Sequence, residues 1–193
     1  MSKENEKTVL RPYMSRTEDS EDIWETPWNI FELINKRVKK EYGREITIDI
    51  CASKDNAKHE RYYTEKENGL IQDLQGEIAF CNPPFIEIEK WVEKCYKEGL
   101  KPNTIVVALL RVSPDTEYFH KYVMKADQIW FLKGRVWYLI NGVEKKDTNF
   151  ASMVVIFTKN ERETPFINTF IHKKKDLNLQ ATKKLDQFIK KIE

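Results

Sequence analysis

The four residues Asn82-Pro83-Pro84-Phe85 follow the apolar run Ile78-Ala79-Phe80-Cys81, and together they could hold a planar amine for reaction. An aromatic amine is a poor nucleophile because its lone pair is delocalised into the ring. Hydrogen-bond acceptors aimed at its hydrogens draw it toward tetrahedral geometry. The side-chain oxygen of Asn82 and the carbonyl of Pro83 are such acceptors, since proline keeps its carbonyl and loses only its donor. Two consecutive prolines hold those carbonyls in a fixed, extended arrangement, so little reorganisation is needed at the moment of reaction. Phe85 offers a ring face on which a flipped base can stack, a contact worth roughly 1–3 kcal/mol. On the tetrapeptide alone, a rigid strand-to-loop turn with a polar cap is an equally good reading.

A loop of this kind needs elements that position it. Residues 77–81 read as a strand stopped abruptly by the two prolines. Behind the loop, Ile88, Trp91, Val92, Cys95 and Tyr96 form the stripe of an amphipathic helix running to Gly99. Thr104 to Leu110 is a continuous apolar run, expected for a central strand buried on both faces. Upstream, Thr26-Pro27 predicts a threonine N-cap and a proline at the first helical position, before Trp28, Phe31, Ile34 and Val38 at helical spacing up to Gly43. Glu45 to Ile50 alternates as a strand does and ends in the small residues Cys51-Ala52-Ser53. Residues 61–64 are a short strand candidate, and Ser113-Pro114-Asp115 opens a helix carrying Phe119, Tyr122 and Val123.

Three late strands are expected at Gln128 to Leu132, Arg135 to Ile140 and Ala151 to Thr158, the first two close enough to form a hairpin. Strands alternating with helices and then clustering predict an α/β fold, with a mostly parallel sheet and an antiparallel edge. Ligands in such sheets bind at the carboxyl ends of the strands, which is where Asn82 would sit.

With 193 residues, 40% hydrophobic and 12% aromatic, the chain suffices for one well-buried core. Residues 1–22 read as a flexible arm, 23–160 as the folded domain and 161–193 as a basic helical tail. No run approaches the roughly 20 apolar residues of a membrane span, and nothing near Met1 resembles a secretion signal, so a cytoplasmic protein is expected. Cys51, Cys81 and Cys95 match no zinc spacing, and His59, His120 and His172 are scattered, so no metal site is expected. Thirty-three basic residues against 31 acidic ones leave a net charge of +2, so any nucleic-acid contact must come from local patches such as Lys133, Arg135, Lys145 and Lys146, or from the lysine-rich tail. Trp130 and Trp137 alternate with polar residues and are expected in the core.

Several separate pieces in order carry a resemblance. They are Trp24-Glu25-Thr26-Pro27 before a helix with Phe31, then Asp49-Ile50-Cys51-Ala52, Asn56-Ala57, Tyr62-Tyr63-Thr64 and Asn68-Gly69-Leu70. Next come Cys81-Asn82-Pro83-Pro84-Phe85, Arg135-Val136 and Met153-Val154-Val155-Ile156-Phe157. In these the chain resembles the phage-type, Dam-like family of DNA adenine-N6 methyltransferases over most of residues 24–158. The resemblance implies a Rossmann-like methyltransferase sheet with helices on both faces, S-adenosylmethionine as methyl donor and adenine in double-stranded DNA as acceptor. It also implies a phage or prophage gene acting in a bacterial host cell.

Carried over by position, Asn82, Pro83, Pro84 and Phe85 would form the catalytic loop. Asp49, Cys51 and Ala52 would line the cofactor, Thr26 and Pro27 would cover its methionine portion, and Asn68, Gly69, Leu70 and Asp73 would lie near its adenine. Asp49, at a strand end, could meet the cofactor's cationic amino group; a turn-forming role is the other reading. Two departures from the family pattern stand out. Residues 49–53 contain no glycine, and Phe85 occupies a position where tyrosine is commoner, which keeps stacking and removes a hydroxyl contact. Two further readings stay open: methylation of cytosine N4 or a protein glutamine, and a non-catalytic nucleic-acid-binding module of the same fold. The recognised DNA sequence and the oligomeric state are not legible.

Overall fold

The structure, a computed structural model, describes residues 24–146, 148–160 and 163–170. Its centre is a six-stranded sheet. Strands β1 (Ile48–Asp49), β2 (Ile78–Cys81) and β3 (Ile105–Arg111) run parallel. Strand β4 (Gln128–Leu132) follows in the chain, and the short strands β5 (Leu139–Ile140) and β6 (Val143–Glu144) pair only with each other. Strand β7 (Ser152–Phe157) lies between β3 and β4, antiparallel to both, and β8 (Phe166–Phe170) runs parallel to β4 at the rim. The predicted α/β architecture is present, and within the six-stranded sheet antiparallel pairing is confined to β7.

Side chains on successive strand residues point to opposite faces, and the two faces collect different helices. Helix α1 (Trp28–Tyr42) lays Ile30, Phe31, Ile34 and Val38 against Phe80, Val107, Trp130 and Ile156. Helices α2 (Ile88–Gly99) and α3 (Glu117–Lys121) bring Trp91, Val92, Cys95, Tyr118 and Phe119 to the other face, against Ala79, Val106, Ala108 and Val155. Each large apolar side chain taken fully out of water contributes about 1.5–3 kcal/mol. Among the described residues, no helix is long and apolar enough to cross a membrane, and no cluster of His, Cys, Asp or Glu could hold a metal ion.

Several expectations are corrected. Thr26 does not cap α1: Pro27 is the N-cap, with φ −63° and ψ 142°, and its carbonyl accepts from Ile30 (3.0 Å) and Phe31 (3.1 Å). The Thr26 hydroxyl is buried with no partner among the described residues. The strand expected over 45–50 shrinks to Ile48–Asp49, and residues 61–64 contribute only a bridge from Tyr62 to Asp49. Ser113-Pro114-Asp115 forms a turn, and α3 starts at Glu117 after Thr116.

Residues 135–140 do not pair with β4, because both edges of β4 are already taken by β7 and β8. Their last two residues instead turn back through Asn141 (φ 51°) and Gly142 (φ 75°), the paired positive φ angles of a tight two-residue hairpin. Trp137 is accordingly 43% exposed rather than core, whereas Trp130 is fully buried. Strand β8 falls within the segment expected to be helical tail, and the remainder of that tail, 171–193, lies outside the described residues, as does the arm 1–22.

The loop before β2 is tied to α2 through Glu98. This carboxylate is buried, accepts from Leu74 N–H (2.9 Å), and pairs with Lys94 (2.8 Å) and Lys101 (2.7 Å). Burial alone would push its pKa up, but the Lys101, Lys94 and Leu74 hydrogen bonds outweigh it and leave it below the ordinary value. A depressed carboxylate pKa adds stability that is present above the unfolded value and is lost as pH falls through the folded one. Glu98→Gln should therefore lower stability by about 1 kcal/mol at neutral pH. The gap from wild type should narrow as pH falls below the ordinary glutamate value of about 4.3. Urea midpoints measured across pH would test this, and a gap independent of pH would refute it.

Candidate active site

Because β1, β2 and β3 are parallel, their carboxyl ends open on one side, and the polar residues of interest gather there. Asn82 leaves β2 half-buried and donates its Nδ2 to the Trp24 carbonyl at 2.5 Å. Only the amide nitrogen can face a carbonyl, so this contact fixes the flip of the side chain and turns Oδ1 away as an acceptor. Pro83 is buried, and Pro84 is extended (φ −64°, ψ 147°) before a 3-10 turn, Phe85–Glu87, that leads into α2.

Phe85 stands edge-to-face with Phe150 at 5.3 Å, and the Arg111 guanidinium lies 5.4 Å from its ring centre. Arg111 is tethered through Nε to the Ser113 hydroxyl (3.1 Å). Phe150 in turn meets Trp24 (5.6 Å) and Tyr138 (5.6 Å). Burial keeps the Tyr138 hydroxyl proton far above the ordinary tyrosine range, and its oxygen sits 3.0 Å from the Ser152 hydroxyl. Beside this aromatic box a groove of about 460 Å³ is lined by Arg111, Ser113, Asp115, Arg135, Asn149 and Phe150, among others. Trp24 entered the sequence reading only as part of a motif. Tyr138, Phe150 and Arg111 carried no signal there, because they come from separate segments and meet only in the folded chain.

Asp49 is 3% exposed, and both its oxygens bind backbone: Cys51 N–H at 3.3 Å and Lys58 N–H at 3.0 Å. Burial pushes its carboxyl pKa up, and those two N–H groups pull it back. Asp49 thus fastens the loop 51–58 onto the end of β1, which is the turn-forming role. Cys51 and Ala52 are half-buried on that loop, and Ala52 N–H donates to Tyr63 (3.1 Å). The Cys81 thiol is fully buried, and burial, then contact with Cys51 and Cys95, pushes it up, so it stays a neutral packing group.

Asn68 adopts a left-handed conformation (φ 52°), and its Oδ1 accepts from Leu70 N–H at 3.2 Å. Gly69 packs so closely on β1 that a Cβ there would lie 2.1 Å from the Ile50 carbonyl oxygen. The 68–70 turn is thereby brought against the chain at Ile50, between Asp49 and Cys51. Asp73 is exposed and engaged elsewhere, in an ion pair with Lys101 at 2.9 Å. Thr26 and Pro27 are both buried beside Trp24, whose carbonyl receives Asn82.

Residues 14–183 match the sequence profile of the family described as DNA N-6-adenine-methyltransferase (Dam). The chain belongs to this family. It is also 29% identical over 147 residues to a protein of Haemophilus phage HP1 (strain HP1c1) named DNA N-6-adenine-methyltransferase, covering 74% of this chain and 83% of that relative. A Dam-family chain is an adenine-specific DNA methyltransferase.

Proposed function

We propose that the protein transfers a methyl group from S-adenosylmethionine to the N6 amine of an adenine flipped out of double-stranded DNA. The observation that carries this reading is the Asn82 amide, locked by the Trp24 carbonyl so that Oδ1 is presented as an acceptor beside Phe85. In this reading Asn82 Oδ1 and the Pro83 carbonyl accept the two amine hydrogens, drawing the lone pair out of conjugation with the ring. Phe85 supports the base from one side, its ring held by Phe150 and Arg111. The amine would form the new N–C bond as the donor's methyl–sulfur bond breaks, a neutral thioether being the leaving group, and the surplus proton of the amine would pass to solvent. Positioning does most of the work.

When bound, S-adenosylmethionine supplies an already activated methyl group, so the protein needs neither a nucleophile nor a metal. The residues present fit it: the orphaned Thr26 hydroxyl is a buried polar atom awaiting a partner, and Gly69 packs on Ile50 just past the end of β1. In this reading Arg111 and Arg135, which line one groove with Phe150, meet phosphates flanking the extruded base, and Lys133, Lys145 and Lys146 add to the positive charge. The phage relative favours a phage or prophage gene acting in the host cytoplasm.

Unmethylated duplex DNA incubated with cofactor labelled in the methyl group should yield N6-methyladenine among the digested nucleosides. Label in N4-methylcytosine or in protein glutamine would replace the substrate assignment. Failure of S-adenosylmethionine to raise the melting temperature would favour a binding module instead.

A further inference from the structure

Lys58 is 6% exposed, an unusual place for an ammonium group. Its backbone N–H is committed to Asp49, and its Nζ lies 4.9 Å from the centre of the Trp28 ring. Among the described residues its side chain makes no hydrogen bond and no ion pair. Burial pulls its pKa down, while the nearby carboxylates of Asp49 and Glu25 hold it up. A buried cation faced only by a ring and two carboxylates out of ion-pairing range is costly unless something binds it directly.

A second unpaired group belongs to the chain segment that Lys58 packs against. The Thr26 hydroxyl, on a residue 2% exposed, has no partner, and Thr26 sits in the chain between Glu25 and Trp28, the two residues that flank the Lys58 ammonium. Directly after it begins the 15-residue helix α1, with no side-chain cap and no acidic residue in its first turn. An ammonium, a hydroxyl and uncapped helix N–H groups are all able to donate, and together they call for an anion. Glu25 and Asp49 close by would repel a dianion such as phosphate. They suit a carboxylate that carries its own ammonium group, the amino-acid end of a zwitterion.

We propose that Lys58, with Thr26 and the amino end of α1, binds the carboxylate of the methyl donor's methionine portion. This rests on the cofactor reading given above, and it turns the expected role of Asp49 around. Asp49 builds the loop and helps keep Lys58 charged, while Lys58 takes the ligand.

The test is a calorimetric comparison of S-adenosylmethionine with its decarboxylated analogue. Wild type should prefer the carboxylated form by about 10–100-fold, the range for a hydrogen bond to a charged group. Lys58→Gln should lose most of that preference while binding the decarboxylated form almost unchanged. Lys58→Arg should keep part of it, and Thr26→Val should weaken only the carboxylated ligand. Without ligand, Lys58→Gln should melt no lower than wild type, since it removes a buried charge. Equal binding of both ligands by wild type, a preference that survives Lys58→Gln, or equal weakening of both with a lowered ligand-free melting point would each overturn the inference and leave the cofactor reading standing. Binding of neither ligand by wild type would overturn both.

Discussion

Asn82→Ala should lower the rate of methyl transfer by about 10²–10³-fold, the usual cost of removing one preorganised hydrogen-bonding group from a reacting centre. The structure adds a condition to this expectation, because Asn82 performs two tasks at once. Its Nδ2 grips the Trp24 carbonyl, and that grip aims Oδ1. Asn82→Asp should therefore fail as well, although it keeps an acceptor: a carboxylate cannot donate to Trp24, and it sets a negative charge against a carbonyl. Both variants should retain the thermal shift produced by S-adenosylmethionine, with a loss of about 1 kcal/mol in basal stability for the missing hydrogen bond. Single-turnover rates beside melting curves would check this. A variant working within about threefold of wild type would remove Asn82 from the reaction, since each factor of ten is only about 1.4 kcal/mol of barrier.

The second large effect is on the fold. Gly69→Ala would place a Cβ 2.1 Å from the Ile50 carbonyl oxygen and 3.2 Å from the Trp91 ring. Neither neighbour can yield easily, because Ile50 is held in the sheet through its N–H bond to Phe80 (2.9 Å) and Trp91 is a buried residue of α2. Overpacking of this kind costs about 1–3 kcal/mol, and backbone overlap places it at the upper end. For a chain of this size that is a fall of roughly 6–12 °C in melting temperature. An unchanged melting temperature would mean that the 68–71 turn is not seated on β1 as described. The same packing gives a position expected to line the cofactor a structural task, since its closeness to Ile50 seats the 68–71 turn.

Elements with strong, continuous patterns were legible before folding. The stripe in α2, the apolar run of β3 and the Val154-Val155-Ile156 core of β7 can bury their residues in only one way. Weakly patterned elements were not. Strand β8 carries Phe166, Ile167 and Phe170 but buries only Phe170, so its apolar residues follow no alternation that would mark one buried face. Residues 135–140 have strand-like composition, yet β4 offers them no free edge, and Trp137 is left half-exposed under Lys146. The Thr26 cap failed for a local reason, since Pro27 with its fixed φ took the N-cap position and left the hydroxyl unsatisfied.

What the sequence showed by itself was a proline-stiffened loop able to offer acceptors to an amine, Asn82-Pro83-Pro84-Phe85, because adjacent residues on such a loop carry their geometry with them. Only the tertiary structure decided what aims and surrounds that loop. The Trp24 carbonyl reaches Asn82 from 58 residues away, Phe150 and Arg111 reach Phe85 from two different strand ends, and Lys58 is carried in by the loop that Asp49 closes. These contacts join segments far apart in the chain, and local spacing holds no record of them. They exist because parallel strands bring their carboxyl ends to one side of the sheet.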